Sequence, residues 1–136
     1  MKKTIVLLFC VVLCACRPTI AYQPNTNAID PAKTIQRIIR LQPPAWTTVP
    51  YEISVTEDCI QMKLTEKNRK TKSVDDISKT ICFENIGKIN FYKYDIYYVE
   101  IYDRLNIWMY TVYSFDEGNA KSFMDALYTM MKSQKK

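Results

Sequence analysis

Apolar residues near position 30 recur at three- and four-residue spacing, which is the period of a helix with one buried face. Asp30 followed by Pro31 is typical of a helix start, with Asp30 as the N-cap and Pro31 in the first helical position. The pair Pro43-Pro44 ends the pattern. The positions that share the apolar face are Ala32, Ile35, Ile38 and Ile39. We predict a short N-terminal helix that packs on another element, because so short a helix is only marginally stable alone.

From Val49 onward the apolar period changes to two, which is typical of strands with one face in water. The alternation predicts a hairpin over residues 49–64, with a turn at Glu57 and Asp58. The segment 65–79 is almost wholly polar and is interpreted as a long exposed loop. Gly87 indicates a bulge or bend. Further strands are predicted at 80–83, 88–92, 96–102 and 107–114.

The C-terminal segment carries the clearest helical pattern of the chain. It predicts a helix from about Glu117 to Lys132, with Asp116 or Ser114 as its cap. A broad apolar face predicts that this helix lies against the sheet, and its members are Ala120, Phe123, Met124, Leu127, Met130 and Met131.

The order of helix, six strands in meander and helix resembles that of the bacterial pleckstrin-homology-like domains. The residues that carry the resemblance are Ile81–Ile86 with Ile89, Ile101–Asp103, Trp108–Phe115, and the spacing Ala120, Phe123, Ala126-Leu127. It covers residues 49–133, with one of the usual seven strands missing and the N-terminal helix added. The resemblance implies an α+β domain, in which a C-terminal helix caps a strongly bent antiparallel sheet or partly open barrel. Such domains are binding platforms with varied partners.

The N-terminal residues have the pattern of an export signal. Lys2 and Lys3 precede an apolar run that ends at Leu13 and is too short for a membrane-spanning helix. The residues Leu13-Cys14-Ala15-Cys16 resemble a bacterial lipobox. This resemblance implies that Cys16 carries a diacylglyceryl group and acyl chains such as palmitate, and that it begins the mature chain. Two or more acyl chains suffice for stable membrane anchoring.

The chain is therefore divided into a signal peptide (1–15), a flexible tether (16–29) and one globular domain of the pleckstrin-homology-like type (30–133). Prolines, asparagines and few apolar residues predict that the tether is extended and poorly ordered. Arg17 stands where an Asp often retains lipoproteins in the inner membrane, so the analogy implies the outer membrane of the bacterial envelope. The alternative is cleavage after Ala21, which releases a soluble secreted protein. Lipidation is favoured because the apolar run ends well before Ala21.

Charge and composition exclude several classes of function. The net charge of +5 falls to about +3 when Lys2 and Lys3 leave with the signal, which does not predict nucleic-acid binding. The sequence contains no histidine, which excludes Ser-His-Asp catalysis and the usual zinc sites. Two glycines are too few for a glycine-rich phosphate loop. We expect a protein that is not an enzyme and holds no cofactor or metal.

Carboxylates leave one enzymatic alternative open. Glu84, Glu100 and Asp103 lie on predicted strands and turns, where two of them could meet as the acid pair of a glycoside hydrolase. A small carbohydrate-active enzyme is therefore the less favoured hypothesis, because solvated strand and turn residues explain the same carboxylates more simply.

Three cysteines follow the signal. With Cys16 acylated, Cys59 and Cys82 are left as an even pair in an oxidising compartment, and we predict that they form a disulfide bond. The alternative is two buried free thiols in apolar strands.

Two groups of residues are candidates for a binding surface. Tyr97, Tyr98 and Tyr102 belong to a tyrosine-rich region, in which period-two spacing predicts Tyr98 and Tyr102 on one face and Tyr97 on the other. The basic segment offers Lys67, Arg69, Lys70 and Lys72 to anionic lipid or to an acidic partner. The alternatives need no binding role: tyrosine is common in strands because of its strand propensity. A run of basic residues is common in a solvated loop.

These patterns together predict a non-catalytic, lipid-anchored envelope protein that acts as a binding or accessory module. Its expected partners are the membrane, through the N-terminal acyl chains, and an envelope protein. The rival is a soluble secreted binding protein or inhibitor cut after Ala21.

Overall fold

The computed structural model describes residues 18–44, 48–68 and 70–135. The predicted signal peptide, Cys16 and Arg69 lie outside these ranges. The helices of the described residues are α1 (Pro31–Arg40) and α2 (Glu117–Ser133). The strands are β1 (Thr48–Val55), β2 (Cys59–Lys67), β3 (Val74–Cys82), β4 (Ile86–Lys93), β5 (Tyr97–Asp103) and β6 (Trp108–Ser114).

The strands form two antiparallel three-stranded sheets, with the orders β1-β2-β3 and β4-β5-β6. A turn of 3-10 helix, Phe83–Asn85, separates β3 from β4, so the two strands do not continue one sheet. This confirms the predicted α+β domain with six antiparallel strands, a short N-terminal helix and a C-terminal helix. Within the described part of the chain the strands do not close into a barrel.

The core lies between the two sheets and the two helices. Ile35, Ile38 and Ile39 of α1 are buried, which confirms its predicted apolar face. Helix α1 packs on α2 and on β1, and α2 also packs on β5 and β6. Alternating apolar residues of every strand complete this core, including Ile53, Ile60, Ile81, Phe91, Val99 and Val112.

The two helices begin differently. Asp30 stands in the N-cap position of α1 and Pro31 follows as predicted, but the Asp30 side chain makes no capping hydrogen bond. At the start of α2 the Asp116 carboxylate accepts a hydrogen bond of 2.7 Å from the Asn119 N–H. Asp116 is therefore the side-chain cap, and Ser114 donates instead to the Asp116 carbonyl at 2.7 Å.

The polar segment 65–79 was expected to be a loop, and this prediction is wrong. Strand β2 continues to Lys67 and β3 begins at Val74, so a turn of only six residues, 68–73, joins them. The backbone ladder extends through pairs such as Glu66 with Asp75. Side chains at this end of the hairpin are exposed on both faces, so strand pairing continues here without the apolar alternation that marks a half-buried strand.

Two local predictions in the strands are confirmed. Cys59 and Cys82 are directly opposite each other on β2 and β3 and form a disulfide bond. Gly87 lies at a shift in the register between β4 and β5. A Cβ atom at this position would lie 2.5 Å from the Asp103 carbonyl oxygen, so the close approach of the two strands requires glycine.

Residues 18–29, named here the N-terminal strap, differ from the flexible tether that was expected. Thr19 forms an antiparallel bridge with Tyr92 of β4, and the Ile20 N–H donates to the Phe91 carbonyl at 2.8 Å. At its other end the Ala28 N–H donates to the Thr129 hydroxyl of α2 at 3.0 Å. Composition did not predict that the strap packs on the domain, because few of its side chains contact the core. These are Ile20, Tyr22 and Ala28.

Candidate functional site

The outer face of β4-β5-β6 carries a cluster of tyrosines, named here the tyrosine face. Its members are Tyr92, Tyr94, Tyr98, Tyr102 and Tyr113. Strand register creates the cluster, because Tyr98 of β5 is directly opposite Tyr92 of β4 and Tyr113 of β6. Side chains at such positions are cross-strand neighbours that pack against one another.

The rings of the tyrosine face hold one another in place. Tyr92 and Tyr98 are stacked with ring centroids 4.9 Å apart, and Tyr113 meets Tyr98 edge to face at 5.3 Å. Tyr94 stands edge-on to Tyr92 at 5.8 Å and to Tyr98 at 6.2 Å. These are the offset and T-shaped geometries that aromatic pairs favour. The face is therefore a stiff aromatic surface.

A carboxylate lies within this aromatic surface. Glu100 follows Tyr98 on the same face of β5, and its residue exposure is only 8 %. The Tyr92 hydroxyl donates to its Oε1 at 2.6 Å, and the Tyr102 hydroxyl donates to its Oε2 at 2.8 Å. Glu100 on β5 thus accepts one hydrogen bond from β4 and one from its own strand.

A second acid lies at the end of the tyrosine face. The Tyr98 hydroxyl donates to the Asp95 carboxylate at 2.9 Å. This hydrogen bond, with backbone N–H donors from Asp95 and Ile96, lowers the pKa of Asp95. Burial first, and then the bond to Asp95, raise the pKa of Tyr98. Asp95 is therefore ionised and Tyr98 protonated at neutral pH.

The structure separates the three tyrosines singled out from the sequence. Tyr98 and Tyr102 share the tyrosine face, as the period of two predicts. Tyr97 points to the opposite side of β5, where its ring lies 6.1 Å from that of Phe91. Its hydroxyl donates to Glu117 of α2 at 3.0 Å. Tyr97 thus joins sheet to helix and is not part of the tyrosine face.

The basic residues lie on the other sheet. Lys67 is the last residue of β2, and Lys70 and Lys72 belong to the turn that follows. All three are exposed. The Asn68 side chain orders this turn by accepting hydrogen bonds from the Lys70 N–H at 2.9 Å and the Thr71 N–H at 3.2 Å. The cations are thus displayed on a defined hairpin turn.

Lys79 is a residue that the sequence did not single out. It lies on β3 on the core side of the first sheet, and its Nζ donates to the Met109 carbonyl of β6 at 2.6 Å. The same ammonium is 4.4 Å from the ring centroid of Trp108. Burial lowers its pKa. Lys79 links the two sheets, and it was missed because its strand was expected to be a loop.

The carboxylates of the enzymatic alternative have separate surroundings. Asp103 Oδ1 accepts from the Leu105 N–H at 2.9 Å and from the Ile107 N–H at 2.8 Å, which orders the β5–β6 hairpin. Glu84 is exposed on the 3-10 turn. Glu100 is held by the two tyrosines described above. Each of the three thus has a different neighbourhood.

A shallow polar depression of about 180 Å³ lies on the outer face of the first sheet. An ion pair crosses it, in which Lys63 Nζ is 2.8 Å from the Glu52 carboxylate. The depression is lined mainly by hydroxyl, amide and charged side chains, among them Ser54, Gln61, Ser78 and Thr80. Met62 also lines it, but none of the lining residues is aromatic, unlike those of typical small-molecule sites.

Residues 18–44, 48–68 and 70–135 contain no cluster of three or more side chains suited to hold a metal ion. Over the same ranges, none of the helices combines the length and apolarity needed to cross a bilayer. Comparisons with protein-family models, with curated proteins and with solved structures found no match to this chain.

Proposed function

We propose that this protein is a non-catalytic lipoprotein of the bacterial cell envelope, whose single domain acts as a binding or accessory module. Acyl chains at Cys16 hold it at the outer membrane, and the domain is a variant of the pleckstrin-homology-like type. Its partner is an envelope protein that contacts the tyrosine face. Anchoring raises the local concentration of the module, so the contact itself can be weak.

The tyrosine face carries this proposal. Large, stiff, amphipathic rings are enriched in the energetically dominant parts of protein interfaces. The stacking of Tyr92 on Tyr98, and the edge contact of Tyr113, fix the rings before any partner arrives. Preorganised side chains lose little conformational entropy on binding. The two helices pack on the core, and four of the five rings, those of Tyr94, Tyr98, Tyr102 and Tyr113, are at least partly exposed.

The N-terminal strap supports lipidation at Cys16 over cleavage after Ala21. Cleavage after Ala21 would remove Thr19 and Ile20, which pair with β4. It would also remove the Ile20 side chain from the core. A mature chain that begins at Cys16 keeps these contacts.

The anchor is tested by metabolic labelling of the full-length protein with an alkyne fatty acid, beside a Cys16→Ala variant. We expect label and outer-membrane fractionation in the wild type, and neither in the variant. Mass spectrometry of the mature N-terminus provides the second measurement. A mature chain that begins at Tyr22 and carries no acyl group would overturn the proposal.

The binding surface is tested by affinity capture from gently solubilised membranes. Tyr98→Ser combined with Tyr113→Ser disrupts the tyrosine face, and Tyr51→Ser is the matched control because Tyr51 is an exposed strand tyrosine of the other sheet. We expect a near-stoichiometric envelope protein with the wild type and the control, and its loss with the double variant. Melting curves establish that the variants fold. Capture that is equal in all three, or absent in all three, contradicts the proposed surface.

A further inference from the structure

The strap brings the beginning of the described chain to one particular edge of the domain. Thr19 pairs with Tyr92, so residues 18–20 extend along the outer edge of β4. The pairing is antiparallel. Followed backward from Ile20 to residue 18, the strap therefore runs toward the β4–β5 turn.

Covalent geometry limits the distance between that edge and the anchor. Three peptide links separate Cys16 from Thr19, and a chain of that length spans at most about 11 Å. The strap has little freedom to swing away, because Tyr22 and Asn25 are both hydrogen-bonded to Asp125, at 2.8 and 2.7 Å. The edge of β4 consequently lies within about 11 Å of acyl chains carried by Cys16.

The same end of the second sheet exposes two aromatic side chains. Tyr94, in the β4–β5 turn, is 58 % exposed. Phe115 follows the last residue of β6, Ser114, which is opposite Tyr97, and it is 74 % exposed. Tyr94 follows β4 and Phe115 follows β6, so the two exposed rings lie at the same end of this sheet, on either side of β5. Tyrosine and phenylalanine are side chains that lie favourably at a bilayer interface.

Charges at this end are nearly balanced. Lys93 lies over the Tyr97 ring at 4.9 Å, and Lys121 pairs with Glu117 at 2.7 Å. Asp95 and Asp116 supply two further carboxylates in the turn and at the helix start. A surface of this kind gains nothing from anionic lipid, so its attraction to a bilayer must come from the aromatic side chains.

We infer that the domain rests directly on the phospholipid bilayer that carries its anchor, with Tyr94 and Phe115 in the headgroup layer. This inference depends on the lipidation of Cys16 in the proposed function. Tyr94 then contacts lipid, and the other four members of the tyrosine face lie beside the membrane, where a membrane-bound envelope protein can reach them. The short connection determines which end of the domain faces the lipid.

The test uses full-length, lipidated protein in phosphatidylcholine vesicles, with an environment-sensitive fluorophore attached at Phe115→Cys. Leu105→Cys is the matched control, because Leu105 is 80 % exposed at the opposite end of the same sheet. Headgroup-labelled quencher lipids should quench the probe at residue 115 about twofold or more relative to residue 105, since interfacial groups lie roughly 5–10 Å into the headgroup boundary. Equal quenching, or stronger quenching at residue 105, would overturn the inference.

A label-free measurement keeps the test independent of the fluorophore. Hydrogen exchange of the β4–β5 turn is compared on vesicles and in detergent for the wild type and for Tyr94→Ser with Phe115→Ser. We expect slower exchange on vesicles only in the wild type, and no change when phosphatidylglycerol is added. Flotation with vesicles separately reports the anchor: if the protein does not float, the proposed lipidation fails. Flotation without protection of the turn contradicts this inference alone.

Discussion

The Tyr22 hydroxyl donates a hydrogen bond of 2.8 Å to the Asp125 carboxylate, joining the N-terminal strap to α2 across 103 positions of sequence. The same carboxylate oxygen accepts the backbone N–H of Asn25 at 2.7 Å. One acid of the C-terminal helix thus holds two points of a segment whose composition is that of a linker. The strap and the domain form one folded unit.

Removal of this acid should release the strap. Asp125→Ala removes two hydrogen bonds to a charged acceptor, and such bonds each contribute about 1.5–3 kcal/mol. We expect faster hydrogen exchange at the Ile20 amide, which donates to β4, while the amides of β5 stay protected. Asp76→Ala, an exposed acid on β3, is the control. Unchanged exchange at Ile20 would show that Asp125 does not hold the strap.

Alkaline pH should loosen the same contact. Burial, followed by the hydrogen bond to Asp125, raises the pKa of Tyr22 from 10.0 to about 12 in the folded protein. Because the folded pKa lies above the unfolded value, the stabilisation is complete below pH 10 and is lost as pH rises through about 12. The Lys121 ammonium lies 5.4 Å from the centroid of the Tyr22 ring, close to the phenolate that forms on deprotonation.

The measurement is the free energy of unfolding from pH 8 to 12 for the wild type and for Tyr22→Phe. The wild type should lose more stability across this range than the variant. Burial raises the pKa of Tyr98, Tyr110 and Tyr128 as well, but these groups are common to both proteins and cancel in the difference. Parallel pH profiles would mean that folding does not raise the pKa of Tyr22.

Reduction of the disulfide should destabilise the first sheet. Cys59 and Cys82 are separated by 23 positions, and closing a loop of this length stabilises a fold by about 3 kcal/mol in the chain-entropy model. Cys59→Ala with Cys82→Ala should lower the free energy of unfolding by up to this amount. Dithiothreitol should destabilise the wild type and leave the double variant unaffected. A wild type that is insensitive to the reductant contradicts the prediction.

Substitution of Gly87 should cost stability through a backbone collision. In Gly87→Ala the new Cβ would lie 2.5 Å from the Asp103 carbonyl oxygen and 2.6 Å from the Arg104 Cα, neither of which can rotate away. Overpacking of this kind costs typically about 1–3 kcal/mol. Gly118→Ala is the control, because its Cβ would meet only a side-chain oxygen of Asp116, at 3.1 Å. Urea denaturation should rank Gly87→Ala as clearly the less stable variant.

Periodicity predicted those elements whose residues alternate between core and water. Ile35, Ile38 and Ile39 were assigned correctly to the buried face of α1. The extended part of β3 was missed because Asp75 and Asp76 lie where both faces of the hairpin meet solvent. Backbone hydrogen bonds stabilise this part of β3, and the pattern of polar and apolar side chains does not indicate them.

The candidate site was predictable only in part. Spacing placed Tyr98 and Tyr102 on one face of β5, but the stack of Tyr98 on Tyr92 depends on strand register, which the sequence did not specify. Glu100 appeared to be an ordinary strand carboxylate, because the sequence did not show that the Tyr92 hydroxyl of β4 donates to it. The sequence could not predict that Asp125 contacts the strap, because its partners Tyr22 and Asn25 are about 100 positions away along the chain.

Loss of the Tyr92 hydroxyl should destabilise the fold more than loss of the Tyr102 hydroxyl. Both donate to the buried carboxylate of Glu100, at 2.6 and 2.8 Å, but Tyr92 is buried and Tyr102 is partly exposed. In Tyr92→Phe water cannot readily replace the lost donor, so we expect a cost of about 1–3 kcal/mol, typical of the loss of a buried hydrogen-bond partner. In Tyr102→Phe solvent can supply a substitute, and the cost should be smaller. Urea denaturation measures both, with Tyr51→Phe, an exposed tyrosine on β1, as the control that changes little. A Tyr92→Phe protein as stable as this control would mean that the hydroxyl contributes nothing to holding the Glu100 carboxylate within the tyrosine face.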